Sequence, residues 1–424
     1  MIRIPTNRRG LVWSLTAYGG LLSGLVGSVL FAEESPAIAT AMVTTSGPAS
    51  DLRTADPGAA DPGAAVFGDL PLRGQIDLSR MTLRGDELEV PLPDGRAAVL
   101  TLDPALQARA EAALAEADAP YGAIVVMDTE GRLLALAGRS TAEPSLGIEA
   151  LALTPWAPAA SVFKVVTSAA LVDAGVAPEE TVCFHGGRRS VERSNLADSK
   201  RDRACESFTW ALARSQNAVI AKLAVRHLDP PTLRRAADSF GFGEAPAFAL
   251  RAESGAADIP ETPLEFARVA AGFWKTDLSA LGGALLAGTV ATGGLRLTPR
   301  IVEAVRDADG AERELASVAP RRVLAAATAA KVGAMMGQTT EMGTAWTAFH
   351  DRRGRRHLGD VVVAGKTGSL SRRQPSELNY SWFVGFAPLE RPEIVVSVVL
   401  GNGPRWRLKS HALARMVLEA ALAD

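Results

Sequence analysis

Two side chains stand out in the run Pro158–Leu171, whose other members are almost all apolar: Ser161 and, three residues on, Lys164. On a helix, positions i and i+3 share a face, so the hydroxyl and the amine can touch. An amine held among Val162, Phe163, Val165 and Val166 tends to shed its proton. A neutral lysine against a serine hydroxyl is a general base beside a nucleophile, the pair that opens an acyl transfer. Two more short motifs follow in the chain, Ser215-Gln-Asn217 and Lys366-Thr367-Gly368. Alone, the first is a helix-capping sequence and the second a strand running into a turn. Together they add a second hydroxyl, an amide with a donor and an acceptor end, a second cation and a position without a side chain. Among the lysines only Lys164 has a serine three residues before it, and only Lys366 is followed by Thr-Gly.

These groups must be brought together by elements far apart in the chain. The serine and its lysine belong to a helix with Pro158 at its first turn and Gly175 past its end; being apolar almost all round, it is predicted to be buried. A helix is expected from Asp103-Pro104, then a hairpin of Ala123–Met127 and Leu133–Leu136 across the turn Asp128–Gly131. Helical patterns dominate from Val162 to about Gly288. Further strands are expected over Val361–Gly365, Trp382–Ala387 and Ile394–Leu400, before an amphipathic helix from Ser410 to Leu422. Strands at both chain ends with helices between them imply an α/β (α+β) class. One antiparallel sheet would be built from both chain ends, beside a mostly helical subdomain.

The bulk composition agrees. With 45 basic and 47 acidic residues the formal net charge is −2, which gives no electrostatic footprint for nucleic acid. Residues 1–9 carry three arginines and precede an uncharged run, 10–32, long enough to span a bilayer. The positive flank places the rest of the chain outside the cytoplasm. The run is read as an uncleaved anchor, with a cleaved signal peptide as the alternative. Residues 33–68 hold the tandem Asp56-Pro-Gly-Ala-Ala and Asp61-Pro-Gly-Ala-Ala and are read as a flexible tether. Residues 69–100 are read as a small β-rich lead-in, and 101–424 as the main domain.

On the three motifs, in that order and on those elements, the chain resembles the penicillin-binding transpeptidase domain of peptidoglycan synthesis. The resemblance runs from about Leu102 to Leu422 and includes Phe240-Gly-Phe-Gly243, Thr262-Pro-Leu-Glu-Phe-Ala267, Gly343-Thr-Ala345 and Trp382-Phe-Val-Gly-Phe-Ala-Pro388. It departs where Ala159-Ala160 stand in place of the usual Pro-Gly before the serine, and where Ser369 replaces the commoner threonine. The resemblance implies a monofunctional D,D-transpeptidase that cross-links stem peptides ending in D-Ala-D-Ala and is acylated by β-lactams. It would be tethered to the inner membrane, facing the periplasm, and work beside a separate glycosyltransferase, with no metal or organic cofactor. Ser161 would attack, Lys164 would take its proton, and Lys366 would help keep Lys164 neutral. Ser215, held by both lysines, would relay a proton to the leaving amine. Asn217 would bond the substrate amide, Thr367 and Ser369 the terminal carboxylate, and bare Gly368 would let substrate backbone lie against the strand. The amides of Ser161 and Ser369 would form an oxyanion hole.

Other readings remain at this point. A D,D-carboxypeptidase or weak β-lactamase would use water as acceptor. The latter needs an extra glutamate, for which the nearest match, Glu261-Thr-Pro-Leu264-Glu265, has glutamate in place of asparagine. A penicillin sensor or a scaffold is a third reading. Cys183 and Cys205 flank a polar segment. In an exported chain they are read as a disulfide, ahead of two buried thiols and of a zinc site with His185. The Arg-, Asp- and Ser-rich stretch from Arg188 to Arg203 is read as a solvated excursion near the cleft, with contact to an anionic wall polymer as the second reading.

Overall fold

The computed structural model describes residues 68–373 and 377–423. The expected tail, membrane run and nearly all of the tether lie outside the described residues, and no helix among them is long and apolar enough to cross a membrane.

The site is carried on a five-stranded antiparallel sheet in the order Ala364–Arg372, Leu378–Ala387, Ile394–Asn402, Tyr121–Asp128, Leu133–Ser140. The late strand Ile394–Asn402 pairs with the early strand Tyr121–Asp128, Val396 opposite Val126, so both ends of the domain meet at the sheet centre as the strand pattern predicts. Successive side chains of a strand point to opposite faces. Ile124 and Val126 therefore join Leu106, Leu114, Leu413 and Val417, from the helices Pro104–Ala117 and Ser410–Ala421, on one face. Val125 and Met127 join Leu286 and Val332, from the helices Ala280–Ala291 and Ala326–Glu341, on the other. A strand covered on both faces must be apolar at nearly every position, and Ile394-Val-Val-Ser-Val-Val-Leu400 is buried throughout.

A second five-stranded sheet joins the strands Thr82–Arg84, Glu87–Pro91 and Ala97–Leu100 to Val302–Arg306 and Glu312–Glu314. The stretch from 69 to 100 is thus completed by strands more than 200 positions later; the Asp69 carboxylate helps to hold it there, accepting the amides of Ala249 at 3.1 Å and Ile301 at 2.8 Å.

Three expectations need correction. The serine helix does not start at Pro158. Ala157–Pro158 pair with Thr276–Leu278, a 3-10 turn spans Ala160–Phe163, and the α-helix proper is Lys164–Asp173. The pull of the small sheet, with Ala159 N–H donating to Thr276 O at 2.8 Å, outweighs proline's preference for a first helical turn. The lysine strand begins at Ala364, not Val361, because the Val362 carbonyl accepts from Leu389 instead of from the ladder. It also runs on to Arg372, in register with Leu378, so Lys366-Thr-Gly368 lie mid-strand and not at a turn. Finally, the helical region contains a hairpin, Thr181–Phe184 with Ala204–Ser207, in which Cys183 and Cys205 lie directly opposite and are disulfide-bonded. This closes the polar excursion at its base. With 22 positions between the cysteines, the chain-entropy model gives about 3 kcal/mol of stabilisation.

Candidate active site

The 3-10 turn and its helix are buried from Val162 to Val172, Lys164 completely, while Ser161 faces a cavity of about 360 Å³. The Lys164 amine lies 2.8 Å from Ser161 Oγ, 2.7 Å from Asn217 Oδ1 and 2.5 Å from the Ala271 carbonyl. Two of these partners can only accept. They take both N–H groups of a neutral amine and leave its lone pair directed at the serine hydroxyl. The orientation of the Asn217 amide follows from its other end, whose Nδ2 donates to the Arg188 carbonyl at 3.0 Å. Desolvation, and after it the charge of Lys366, push the Lys164 pKa well below the usual lysine value.

Lys366 is also fully buried, and burial alone pushes it down to about 7. Its amine donates to the Thr367 carbonyl at 2.9 Å. On a strand it shares a face with Gly368, and Gly368 is packed on the nucleophile's turn: an added Cβ would lie 3.3 Å from Ala159 O and from Val162. The lysine strand therefore presents Lys366 toward the Ser161 turn. The missing side chain thus allows close packing on this turn, and Gly368 also lines the cavity wall.

Ser215 sits in the loop between the helices Phe208–Ala213 and Asn217–His227, in a left-handed backbone conformation with φ 57°, and faces the same cavity. The expected bridge from Lys164 through Ser215 to Lys366 is not formed, since both amines bond the groups just described. Asn217 opens its helix and is buried, with one N–H beyond that given to Arg188 O for a ligand in the cavity. Thr367 and exposed Ser369 line the opposite wall, the Thr367 hydroxyl bonded to that of Thr344 at 2.5 Å.

Ala160, where the resemblance leads one to expect glycine, has φ 50°. A left-handed alanine costs about 1–2 kcal/mol, offset by about 0.8 kcal/mol from its buried methyl and by the lower entropy of an unfolded alanine. The terms nearly cancel. Ala160→Gly is therefore expected to change the unfolding free energy by less than about 1 kcal/mol, as read by chemical denaturation.

Sequence reasoning missed several groups around the cavity. Arg188, Arg214, Lys409, His411, Ser381 and Trp382 line it as well. His411 is held neutral, its pKa pushed to about 4 by burial and then by Lys409. Trp382 and Thr344 had a signal as members of quoted runs, and Arg188 as the start of the excursion read near the cleft; Ser381 lies on the strand Leu378–Ala387, and Arg214, Lys409 and His411 come from a loop and a helix start that no motif marks. Among the described residues the lining contains no carboxylate. Glu261 is exposed and pairs with Arg234 at 3.2 Å, and Glu265 pairs with Arg268 at 2.8 Å beside a separate cavity. His185 bonds Asp202 at 2.5 Å and both cysteines are consumed in the disulfide, which sets aside the zinc reading.

Comparison with known proteins gives a consistent result. The family model described as penicillin binding protein transpeptidase domain matches residues 122–419. Peptidoglycan D,D-transpeptidase PbpA of Mycobacterium tuberculosis is 28% identical over 284 residues, 62% of this chain and 55% of that protein. Stage V sporulation protein D of Bacillus subtilis is 24% identical, over 74% of this chain and 50% of that one. The chain thus spans about half the length of the curated relatives it matches. Among solved structures, PBPA from M. tuberculosis has a TM-score of 0.63 at 24% identity, covering 77% of this chain and 83% of that one. The D,D-transpeptidase domain of a peptidoglycan glycosyltransferase from Eggerthella lenta has a TM-score of 0.62 at 24% identity, covering 80% and 95%. Penicillin-binding protein A of M. tuberculosis, solved as a penicillin G acyl-enzyme complex, has a TM-score of 0.61 at 24% identity, covering 77% and 81%.

Proposed function

Because the chain belongs to the penicillin-binding protein transpeptidase family, we propose that it is a serine D,D-transpeptidase acting on peptidoglycan stem peptides through an acyl-enzyme on Ser161. The observation that carries the reading is the buried Lys164 amine, 2.8 Å from Ser161 Oγ with both of its neutral-state N–H groups spoken for. Ser161 Oγ attacks the carbonyl of the penultimate D-Ala and its proton passes to Lys164 Nζ. The C–N bond then breaks and D-Ala leaves with the proton taken up by Lys164, delivered by way of Ser215 once bound substrate brings that hydroxyl within reach of the amine. An amine of a second stem peptide attacks the ester and regenerates the hydroxyl. The amides of Ser161 and Ser369 are the oxyanion donors, each typically worth 100- to 1000-fold in rate. Thr367, Ser369 and Lys366 take the terminal carboxylate, and Asn217 orients Lys164 while offering its spare N–H to the substrate. Lys366 occupies an edge strand of the sheet, a surface on which an extended peptide can be laid. The enzyme would be held at the membrane through residues 10–32, with its domain in the periplasm and a separate glycosyltransferase supplying glycan. Transfer is favoured over hydrolysis because, among the described residues, no carboxylate lines the cavity to activate water.

The test is incubation with penicillin G followed by intact mass and peptide mapping. A single adduct on Ser161 that persists for hours is expected. Loss within minutes would favour a β-lactamase, and no adduct a scaffold. The pH profile of acylation follows from the two lysines. Neutral Lys164 is required, so the rate rises with pH through its lowered pKa. Charged Lys366 attracts the carboxylate, so kcat/KM falls again above about 7. A bound carboxylate stabilises the ammonium, so the alkaline limb of kcat is expected at higher pH than that of kcat/KM.

A further inference from the structure

The cavity holds more positive charge than one terminal carboxylate requires, and it holds it on two walls. Lys409 lies at the sheet wall: Ser410, next to it, donates its amide to Ser381 Oγ at 3.2 Å, and Ser381 stands opposite Ser369 on the neighbouring strand. Arg188 and Arg214 lie at the other wall with Ser215 and Asn217. Neither arginine is neutralised within the cavity. Arg214 has its guanidinium 4.3 Å from the centroid of the Trp210 ring, which holds it in place, and its nearest acid is Glu206 at 3.7 Å, outside the cavity lining. Arg188 has an exposed side chain with no ion-pair partner among the described residues, while its main chain is pinned by the bond from Asn217. Among the described residues no carboxylate lines the space between.

We propose that Arg188 and Arg214 form a second anion subsite that selects acyl donors bearing a free carboxylate on the amino side of the scissile bond. The inference rests on the reading of Ser161 as an acyl-accepting serine. With the terminal carboxylate at the Thr367–Ser369 wall and the scissile carbonyl at Ser161, the rest of an extended donor must leave past Ser215 and Asn217, at about 3.3–3.6 Å per residue. That path brings the next side chains of the donor to the two guanidinium groups. Guanidinium binds carboxylate through paired, planar N–H donors, a geometry an amide does not match. A donor whose carboxylate is amidated would leave Arg188 without an anionic partner and Arg214 with Glu206 alone.

The experiment uses two donor peptides ending in D-Ala-D-Ala. They are identical except that the residue before the penultimate D-Ala carries a side-chain carboxylate in one and the primary amide in the other. Penicillin G serves as a third acyl donor. D-Ala release by the wild type is expected to show a kcat/KM about 10- to 100-fold higher for the free acid. In Arg188→Gln and Arg214→Gln that ratio falls toward one, through KM more than kcat, while penicillin still labels Ser161. Equal use of both peptides by the wild type overturns the subsite, as does an equal loss for both peptides in the variants. Failure of both peptides and of penicillin to acylate wild-type Ser161 overturns the parent reading and the subsite with it.

Discussion

Lys164→Met is expected to slow acylation of Ser161 by penicillin by about 10²- to 10⁴-fold, the usual worth of a positioned general base. Methionine keeps the length and the apolar stem of lysine and removes only the amine. The fold should survive, because two effects of similar size oppose one another. Burying an amine in this apolar turn is unfavourable, and that cost disappears. Asn217 Oδ1 and the Ala271 carbonyl lose their donor, at about 1–3 kcal/mol for a buried group left unpaired. A cooperative melt near that of the wild type, together with near-loss of labelling, would show that the amine acts on the serine and not on the scaffold. Labelling within a few-fold of wild type would remove Lys164 from the chemistry. Ser161 would then need another base, and among the described residues the cavity lining has no carboxylate and one imidazole, His411, whose pKa of about 4 makes it a weak base.

The parts of this site that could be read in the sequence are those in which one local contrast decides the outcome. A single lysine in the apolar run Val162–Leu171 has nowhere to go but the interior, and it is completely buried there. The sheet strands showed themselves as apolar runs because they are covered on both faces, and their placement at both chain ends, with helices between, pointed to one antiparallel sheet. What could not be read was set by pairing across long separations. The Val362 carbonyl finds Leu389, and Ala159 finds Thr276, and each of these bonds moves the end of an element by several residues. The cationic wall is of the same kind. Arg188 was legible only as the start of a solvated excursion near the cleft and Arg214 as a surface charge, and the disulfide-closed loop and the left-handed Ser215 bring them to one cavity. The packing of Gly368 against the nucleophile's turn could not be read for a related reason: a missing side chain has no pattern of its own, and the atoms 3.3 Å from its would-be Cβ come from a distant part of the chain.

Gly272→Ala tests how closely the nucleophile's turn is held. Gly272 has φ 80°, and an added Cβ would meet the Ala160 carbonyl oxygen at 2.3 Å and Ser161 Cα at 2.9 Å. Both are backbone atoms, so no side-chain rotation relieves the clash and the serine's turn must move. The residue before it, Ala271, supplies the carbonyl that orients Lys164. One methyl group therefore displaces nucleophile and base together. Misplacement of reacting groups by about 1 Å is enough to cost about 100-fold in rate, and acylation by penicillin is expected to fall at least that far. Left-handed strain adds about 1–2 kcal/mol of destabilisation, before the cost of the clash itself. Gly175→Ala separates the two effects. Its φ is 90°, but nothing lies within 4 Å of its added Cβ, so it carries the strain without the collision. It should lower the melting midpoint modestly and leave labelling of Ser161 intact. If the two variants lose activity alike, backbone strain and general instability explain the loss. If Gly272→Ala alone loses it, the positions of Ser161 and Lys164 are fixed to within less than an ångström by the loop that follows the helix Pro263–Ala270.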